Sequence, residues 1–257
     1  KIDELDNIAK QQDNGCKGVI RRLKKAIDRK KVVLSNNQNI ITTGINSFYC
    51  LKNAYIENNY FHSFYDDYYD IATGKAELPC TMDHITYIRG AQDIFISGNF
   101  VQGWHNGPSG GSKFKSSNKI TIVNNYLRNT GIIMSNHAEQ GCTDILTNGG
   151  VSELKNWLIA ENTFDFTQSH GAYGTGIYFE LDNPEKVPTI VEDIVLLGNK
   201  YINYKNIEPA YMRLKIRFSW TDKADGKPYF TPQNTCSLNN TRDDTDNGVL
   251  EIDPWAA

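Results

Sequence analysis

Apolar and polar residues alternate in short stretches along this chain, and the alternation recurs around an asparagine. The phrases are Ile56-Glu57-Asn58-Asn59-Tyr60-Phe61, Ile96-Ser97-Gly98-Asn99-Phe100-Val101, Ile122-Val123-Asn124-Asn125-Tyr126-Leu127, Ile159-Ala160-Glu161-Asn162-Thr163-Phe164 and Leu196-Leu197-Gly198-Asn199-Lys200-Tyr201. Three positions before each central Asn stands Ile or Leu, five before it stands Ala54, Ile94, Ile120, Trp157 or Ile194, and two after it stands an apolar or aromatic residue. Period-two alternation on both sides of a polar corner predicts a strand, a tight Asn turn and a second strand. Recurrence at intervals of 40, 26, 37 and 37 residues makes each copy one unit of a solenoid. A weaker copy, Val32-Val33-Leu34-Ser35-Asn36-Asn37, places the start of the repeat before Asn59.

Asn suits such a corner because it tolerates left-handed backbone angles and its amide can bond the Asn of the unit above and below. A unit of about 22 to 26 residues is ordinary for a repeat architecture, so the surplus in the longer intervals predicts inserted loops. Residues 1–31 are charged and partly helix-patterned, interrupted by Asn14-Gly15 and Gly18, and read as an N-terminal helical cap over the open end. Lys24, Lys25, Arg29, Lys30 and Lys31 read as a solvated helix face. The repeat covers 32–217, and Pro, Asn, Asp and Thr dominate 218–257, which predicts an irregular C-terminal tail or a connection to a further module.

Counting ten residues back from the corners finds a third strand in each unit: Asn59 leads to Tyr49, Asn99 to Arg89 and Asn125 to Lys115. Phe48, Ile88 and Phe114 are expected inward, while Ser47, Tyr87 and Lys113 share the outward face with Tyr49, Arg89 and Lys115. Later strands expose Tyr178 and Glu180 in 176–181 and Arg213 and Lys215 in 211–216; 131–136 lies among them and is followed by His137. Loops at 62–82, 138–154 and 165–174 are expected to wall this sheet into a cleft.

At 257 residues and 39% hydrophobic content the chain can bury a large core, and a net charge of −3 argues against a generally nucleic-acid-binding surface. No apolar run approaches a membrane span, and Lys1-Ile2-Asp3-Glu4 is not a signal peptide, so the chain reads as part of a longer polypeptide without membrane insertion. Cys16, Cys50, Cys80, Cys142 and Cys236 are odd in number and lack a Cys-x-x-Cys, which reads as reduced, mostly buried thiols. The five His residues show no metal-ligand spacing, and Asn239-Asn240-Thr241 reads as a chance sequon in an Asn-rich chain.

Over roughly residues 32–217 the Asn-corner repeat resembles the right-handed parallel β-helix proteins of the pectate-lyase-like superfamily, which includes polysaccharide lyases and phage tailspike depolymerases. The resemblance implies an all-β fold and action on polysaccharides. A narrower likeness is to the chondroitinase B and alginate lyase family, where a strand carries a catalytic Lys followed by Ser and an Asn-Asn corner, and the next unit ends in Arg-His. Here Lys115-Ser116-Ser117-Asn118 leads to Asn124-Asn125, and the next unit ends in Asn136-His137. The family's Arg is Asn136 in this chain, and its acidic calcium ligand after Gly-Gly is missing, because Gly110-Gly111 is followed by Ser112-Lys113. Calcium is therefore implied by the family with no ligand identified, and no cofactor is required by the residues themselves.

An outward column of Arg89, Lys113, Lys115, Arg213 and Lys215 with Tyr87 and Tyr178 suits an acidic sugar chain: cations meet carboxylates and aromatic faces meet pyranose rings. For β-elimination, Lys115 amid like charges is the expected base, Arg89, Lys113 or Asn136 holds the carboxylate, and His137 or Tyr178 supplies the proton. For hydrolysis the expected acid is Glu180, with Asp66, Asp67, Asp70, Glu139, Asp144 or Asp182 as partner. The expected function is a tailspike depolymerase acting on an acidic glycan at the virion surface or outside the cell. The alternatives are a glycoside hydrolase of the same fold, a secreted bacterial lyase, and a glycan-binding adhesin without catalysis. Tyr55, Phe95, Thr121, Leu158 and Val195, four before the corners, are expected to form an outward stripe that packs side by side. The tailspike resemblance implies a homotrimer; the other expectation is a stripe covered within one chain.

Overall fold

The computed structural model describes residues 32–35, 38–41, 45–47, 51–63, 69–70, 75–76, 86–102, 112–128, 130–136, 151–165, 177–180, 189–203 and 233–242. These residues are all-β, with no helix among them. The first sheet orders β1 (Val32–Ser35), β4 (Lys52–Glu57), β9 (Gln92–Ser97), β12 (Asn118–Val123), β15 (Ser152–Ala160), β18 (Thr189–Leu197) and β20 (Cys236–Leu238). The second orders β2 (Gln38–Ile41), β5 (Tyr60–Ser63), β10 (Phe100–Gln102), β13 (Tyr126–Arg128), β16 (Thr163–Asp165), β19 (Lys200–Ile202) and β21 (Thr241–Arg242). The third runs from β3 (Ile45–Ser47) through β8 (Thr86–Arg89), β11 (Ser112–Lys115) and β14 (Ile132–Ser135) to β17 (Ile177–Glu180). A separate antiparallel pair joins β6 (Tyr69–Asp70) to β7 (Lys75–Ala76). All ladders of the three large sheets are parallel, and the chain visits the sheets in a fixed cyclic order, so neighbouring strands come from successive circuits.

The alternation read from sequence sets which side chains enter the core. Ala54, Ile94, Ile120, Trp157 and Ile194 share one register row, as do Ile56, Ile96, Ile122, Ile159 and Leu196, and all belong to a single buried cluster. The second sheet contributes Phe61, Val101, Leu127, Phe164 and Tyr201, and the third contributes Ile88, Phe114 and Met134. Trp157 packs edge-on to Phe114 with ring centroids 5.5 Å apart, and its indole N–H donates to the Ser117 carbonyl at 2.8 Å. A fully buried indole thus keeps its hydrogen bond.

The corner asparagines form a continuous buried ladder through Asn59, Asn99, Asn125, Asn162, Asn199 and Asn240. The Oδ1 of each Asn accepts both the backbone N–H and the Nδ2–H of the preceding one, at 2.8–3.1 Å. From Asn99 onward each Nδ2 also donates back to a carbonyl of the preceding circuit: Ile56, Ile96, Ile122, Ile159 and Leu196. Such a corner turns a backbone N–H into the interior, where it must be paired. Only a side chain holding both an acceptor and a donor repeats that bond indefinitely, and among neutral side chains of this length that is Asn.

The left-handed residue is not the ladder Asn but the one before it. Asn58, Gly98, Asn124, Glu161, Gly198 and Asn239 have φ between 53 and 62°. Five positions earlier, Asn53, Asp93, Lys119, Asn156, Asp193 and Asn234 form a second left-handed row with φ between 51 and 60°. One such residue follows the first-sheet strand of each circuit and the other falls inside that strand or, at Asn234, just before it; Asn, Asp and Gly fill most of these places because they tolerate that conformation at least cost. At Gly98 a Cβ would also stand 2.4 Å from Asn58 Oδ1, so a side chain there would add a clash with the Asn58 amide to the left-handed backbone.

Three expectations are corrected. The repeat does not end at 217: β20 pairs with β18, β21 pairs with β19, and Asn240 is a sixth rung, so part of the expected tail is another circuit. The flanks that would have announced it are polar, with Ser237 and Thr235 where other circuits place Ile, Leu, Ala or Trp. Ser47 pairs with Ile88 and Asn46 with Tyr87, one residue off the expected register. Cys236 is disulfide-bonded and not a free thiol; the other four cysteines lie outside the described residues. The N-terminal cap expected at 1–31 also lies outside them.

Outward of the first sheet, Tyr55, Phe95, Thr121, Leu158 and Val195 occupy one register row. Tyr55 and Phe95 are half-buried and in contact, with centroids 5.2 Å apart, whereas Leu158 and Val195 are 2% and 0% exposed in the single chain. The stripe is open at one end and covered at the other.

Candidate functional site

The third sheet presents the residues expected to carry chemistry. Its inward row is Ile88, Phe114 and Met134. One alternate row holds Asn46, Tyr87, Lys113, Ile133 and Tyr178; the other holds Arg89, Lys115, Ser135 and Glu180. Parallel pairing of short β-rich segments without crossing insertions inside the strands is what brings Tyr87, Arg89, Lys113 and Lys115 onto four adjoining positions.

Their packing is specific. Arg89 Nη2 donates to the Tyr87 hydroxyl at 2.8 Å, and the guanidinium lies 4.9 Å from the centroid of the same ring. Lys115 Nζ lies 5.9 Å from that centroid. Two cations on one phenol ring are held by the ring quadrupole and by a directed hydrogen bond. Tyr87 and Arg89 are half-buried.

Lys113 and Lys115 depart from the expected exposure: each is 7% exposed, and the neighbouring Ile133 and Ser135 are fully buried although Ile133 is not part of the core cluster. The outward face of this sheet is therefore covered at β11 and β14 and opens at Tyr87 and Arg89. Both lysines have interaction partners, as a buried ammonium must. Asn136, expected to hold a substrate carboxylate, is fully buried, and its amide donates to Thr189 Oγ1 at 3.0 Å, tying the end of the third sheet to β18. Tyr178 and Glu180 keep their places on β17 in register with Ile133 and Ser135, two strands from the lysines. At about 4.8 Å per strand that is roughly 10 Å across the sheet. His137, Arg213 and Lys215 lie outside the described residues. Among the described residues no group of three His, Cys, Asp or Glu is placed to hold a metal ion.

A second group of residues, on the second sheet, was not anticipated. The residue after the ladder Asn is Tyr60, Phe100 or Tyr126 in three successive circuits, and these rings stack outside the core. Centroids are 5.3 and 5.1 Å apart and planes differ by 18 and 4°. The Tyr126 hydroxyl donates to Asp165 Oδ2 at 2.5 Å, and Asn203 Nδ2 donates to Asp165 Oδ1 at 2.7 Å. Burial and this bond to a carboxylate push the Tyr126 hydroxyl up to about 12. The signal was present in the sequence as an aromatic one step past three successive corners, but only parallel register turns those rings into a stack.

No protein-family model, curated protein or solved structure matches this chain.

Proposed function

We propose that the chain is a right-handed parallel β-helix that binds an acidic polysaccharide on the outer face of its third sheet and cleaves it by β-elimination. The observation that carries this reading is the Tyr87, Arg89, Lys113 and Lys115 quartet on adjoining register positions, opening to solvent at Tyr87 and Arg89. Two cations on one phenol, with Lys113 on the adjoining register position, form a site for a carboxylate attached to a ring, the guanidinium binding the anion. The cyclic path through three parallel sheets and the Asn ladder support the helical architecture.

In the proposed reaction Arg89 and Lys113 neutralise the uronate carboxylate, which acidifies the C5 proton. Lys115, as the base, removes that proton; the electron pair forms the C4–C5 double bond, the C4–O bond breaks, and the departing oxygen takes a proton from Tyr178 or His137. Calcium does not fit this site: the place that would supply its carboxylate holds Ser112 and a buried Lys113, whose charge repels a dication. No step is routed through it. The Cys236 disulfide supports an oxidising, extracellular or virion-surface setting. The half-exposed Tyr55 and Phe95 leave one end of the stripe open to lateral packing, and the tailspike resemblance supplies three as the number of chains.

The test is incubation with a panel of uronate polymers, read by absorbance of unsaturated uronate and by a reducing-end assay. Lys115→Ala should remove the unsaturated product while leaving the circular dichroism spectrum unchanged. Saturated products lost in Glu180→Gln and retained in Lys115→Ala would replace elimination by hydrolysis. Binding without cleavage of any polymer would leave an adhesin.

A further inference from the structure

We infer that the outer face of the second sheet is a separate binding surface for carboxylated sugars, with Arg128 taking the carboxylate and the Tyr60, Phe100 and Tyr126 stack meeting the rings. Arg128 and Asp165 are direct partners in register on β13 and β16, the arrangement in which a salt bridge is expected. No bridge is formed between them; Asp165 instead accepts from Tyr126 at Oδ2 and from Asn203 at Oδ1. Among the described residues Arg128 makes no hydrogen bond or ion pair, and its Nε is buried without a partner. A buried Nε without a partner is costly, and a planar carboxylate is a ligand that suits the fork of donors the guanidinium presents.

The neighbouring surface selects what carries that carboxylate. Phe100 stands beside Tyr126 and Tyr60 beside Phe100, all half-buried, so an apolar strip runs from the guanidinium along the direction in which strands stack. Two strands past Tyr126, in the same row, the exposed Lys200 adds a second cation. Alternation of apolar faces and anionic groups at strand-like spacing is the chemistry of an acidic glycan, whose rings are flat and apolar on one side. A hydrophobic protein surface would leave Arg128 and Lys200 uncompensated. The inference rests on the reading of the chain as a binder of acidic glycans and adds a site remote from the third sheet.

The experiment is calorimetric titration of the intact protein with oligosaccharides of galacturonate, glucuronate, mannuronate and sialic acid. The proteins compared are the unmodified chain, Arg128→Met, Phe100→Ser and Arg89→Met, each checked for fold by near-ultraviolet circular dichroism. Arg128→Met keeps the packed stem and removes the charge, and should weaken one binding event by about tenfold or more, with Phe100→Ser weakening the same event. That event should persist in Arg89→Met. Binding unaffected by Arg128→Met and Phe100→Ser but lost in Arg89→Met overturns this site and leaves the third-sheet reading standing. Binding lost in Arg128→Met and intact in Arg89→Met supports this site and removes the other. No binding of any of these sugars by the unmodified chain overturns both.

Discussion

Replacing Asn162 by alanine removes a middle rung of the ladder, and the cost can be worked from the bonds it leaves behind. Asn162 is fully buried; its Oδ1 accepts the Asn125 N–H and Nδ2–H at 3.0 Å each, and its Nδ2 donates to the Ile122 carbonyl at 2.9 Å and to Asn199 Oδ1 at 3.0 Å. After the change, Asn125 Nδ2 still reaches the Ile96 and Val123 carbonyls. The Asn125 N–H and the side-chain bond to the Ile122 carbonyl have no substitute. Two buried groups at about 1–3 kcal/mol each give about 2–6 kcal/mol. For a chain of this size that corresponds to a fall in Tm on the order of 10 °C. Asn162→Asp separates the donor from the acceptor role, since a carboxylate keeps the acceptor and turns a second oxygen on the Ile122 carbonyl and Asn199 Oδ1. Burial and these acceptors raise its folded pKa above the unfolded value of about 3.9. The folded state then binds more protons than the unfolded one, so the stability of this variant falls as pH rises above about 4. Thermal and urea unfolding followed by circular dichroism across pH 4 to 8 measures both effects. A loss below about 1 kcal/mol in the alanine variant, or an aspartate variant that gains stability with rising pH, refutes the ladder as a source of stability.

Three further outcomes are expected. Tyr126 is raised to about 12 against about 10 in an unfolded chain, so the fold holds its proton more tightly and loses stability as pH climbs from about 10 toward 12; Tyr126→Phe should remove one late phenolate from the ultraviolet titration and flatten that decline. Lys119 stands left-handed at φ 56° and pairs with Asp93 at 4.0 Å, so Lys119→Asn, the residue found in this row at 53, 156 and 234, should stabilise by about 0.5 kcal/mol, read from the urea midpoint. Light scattering should give three chains per particle for the unmodified protein and one for Phe95→Lys; a monomer in the unmodified protein removes lateral assembly from the proposal.

What the amino-acid sequence determined by itself is the circuit. An inward residue at every second position and an Asn at each corner are local requirements, met within a few residues, so the strand pairs, the core rows and five rungs are legible without coordinates. The ladder was readable because its chemistry is self-referential: each Asn needs another Asn, which leaves a mark in the pattern. Asn240 escaped because backbone pairing asks nothing of the side chains around it, and Ser237 and Thr235 satisfy the ladder as well as Ile does. The left-handed residue was displaced by one because the amide that must point inward belongs to the ladder Asn, which leaves the preceding residue to make the bend. Alternation states which way a side chain faces and is silent about what lies over it. Lys113 and Lys115 face outward as the pattern requires and are nonetheless 7% exposed, Asn136 serves β18, and Arg128 stands beside a carboxylate already occupied by others. Those facts depend on residues 26 to 53 positions apart meeting in register, and long-range contact of that kind is decided only when the circuits stack.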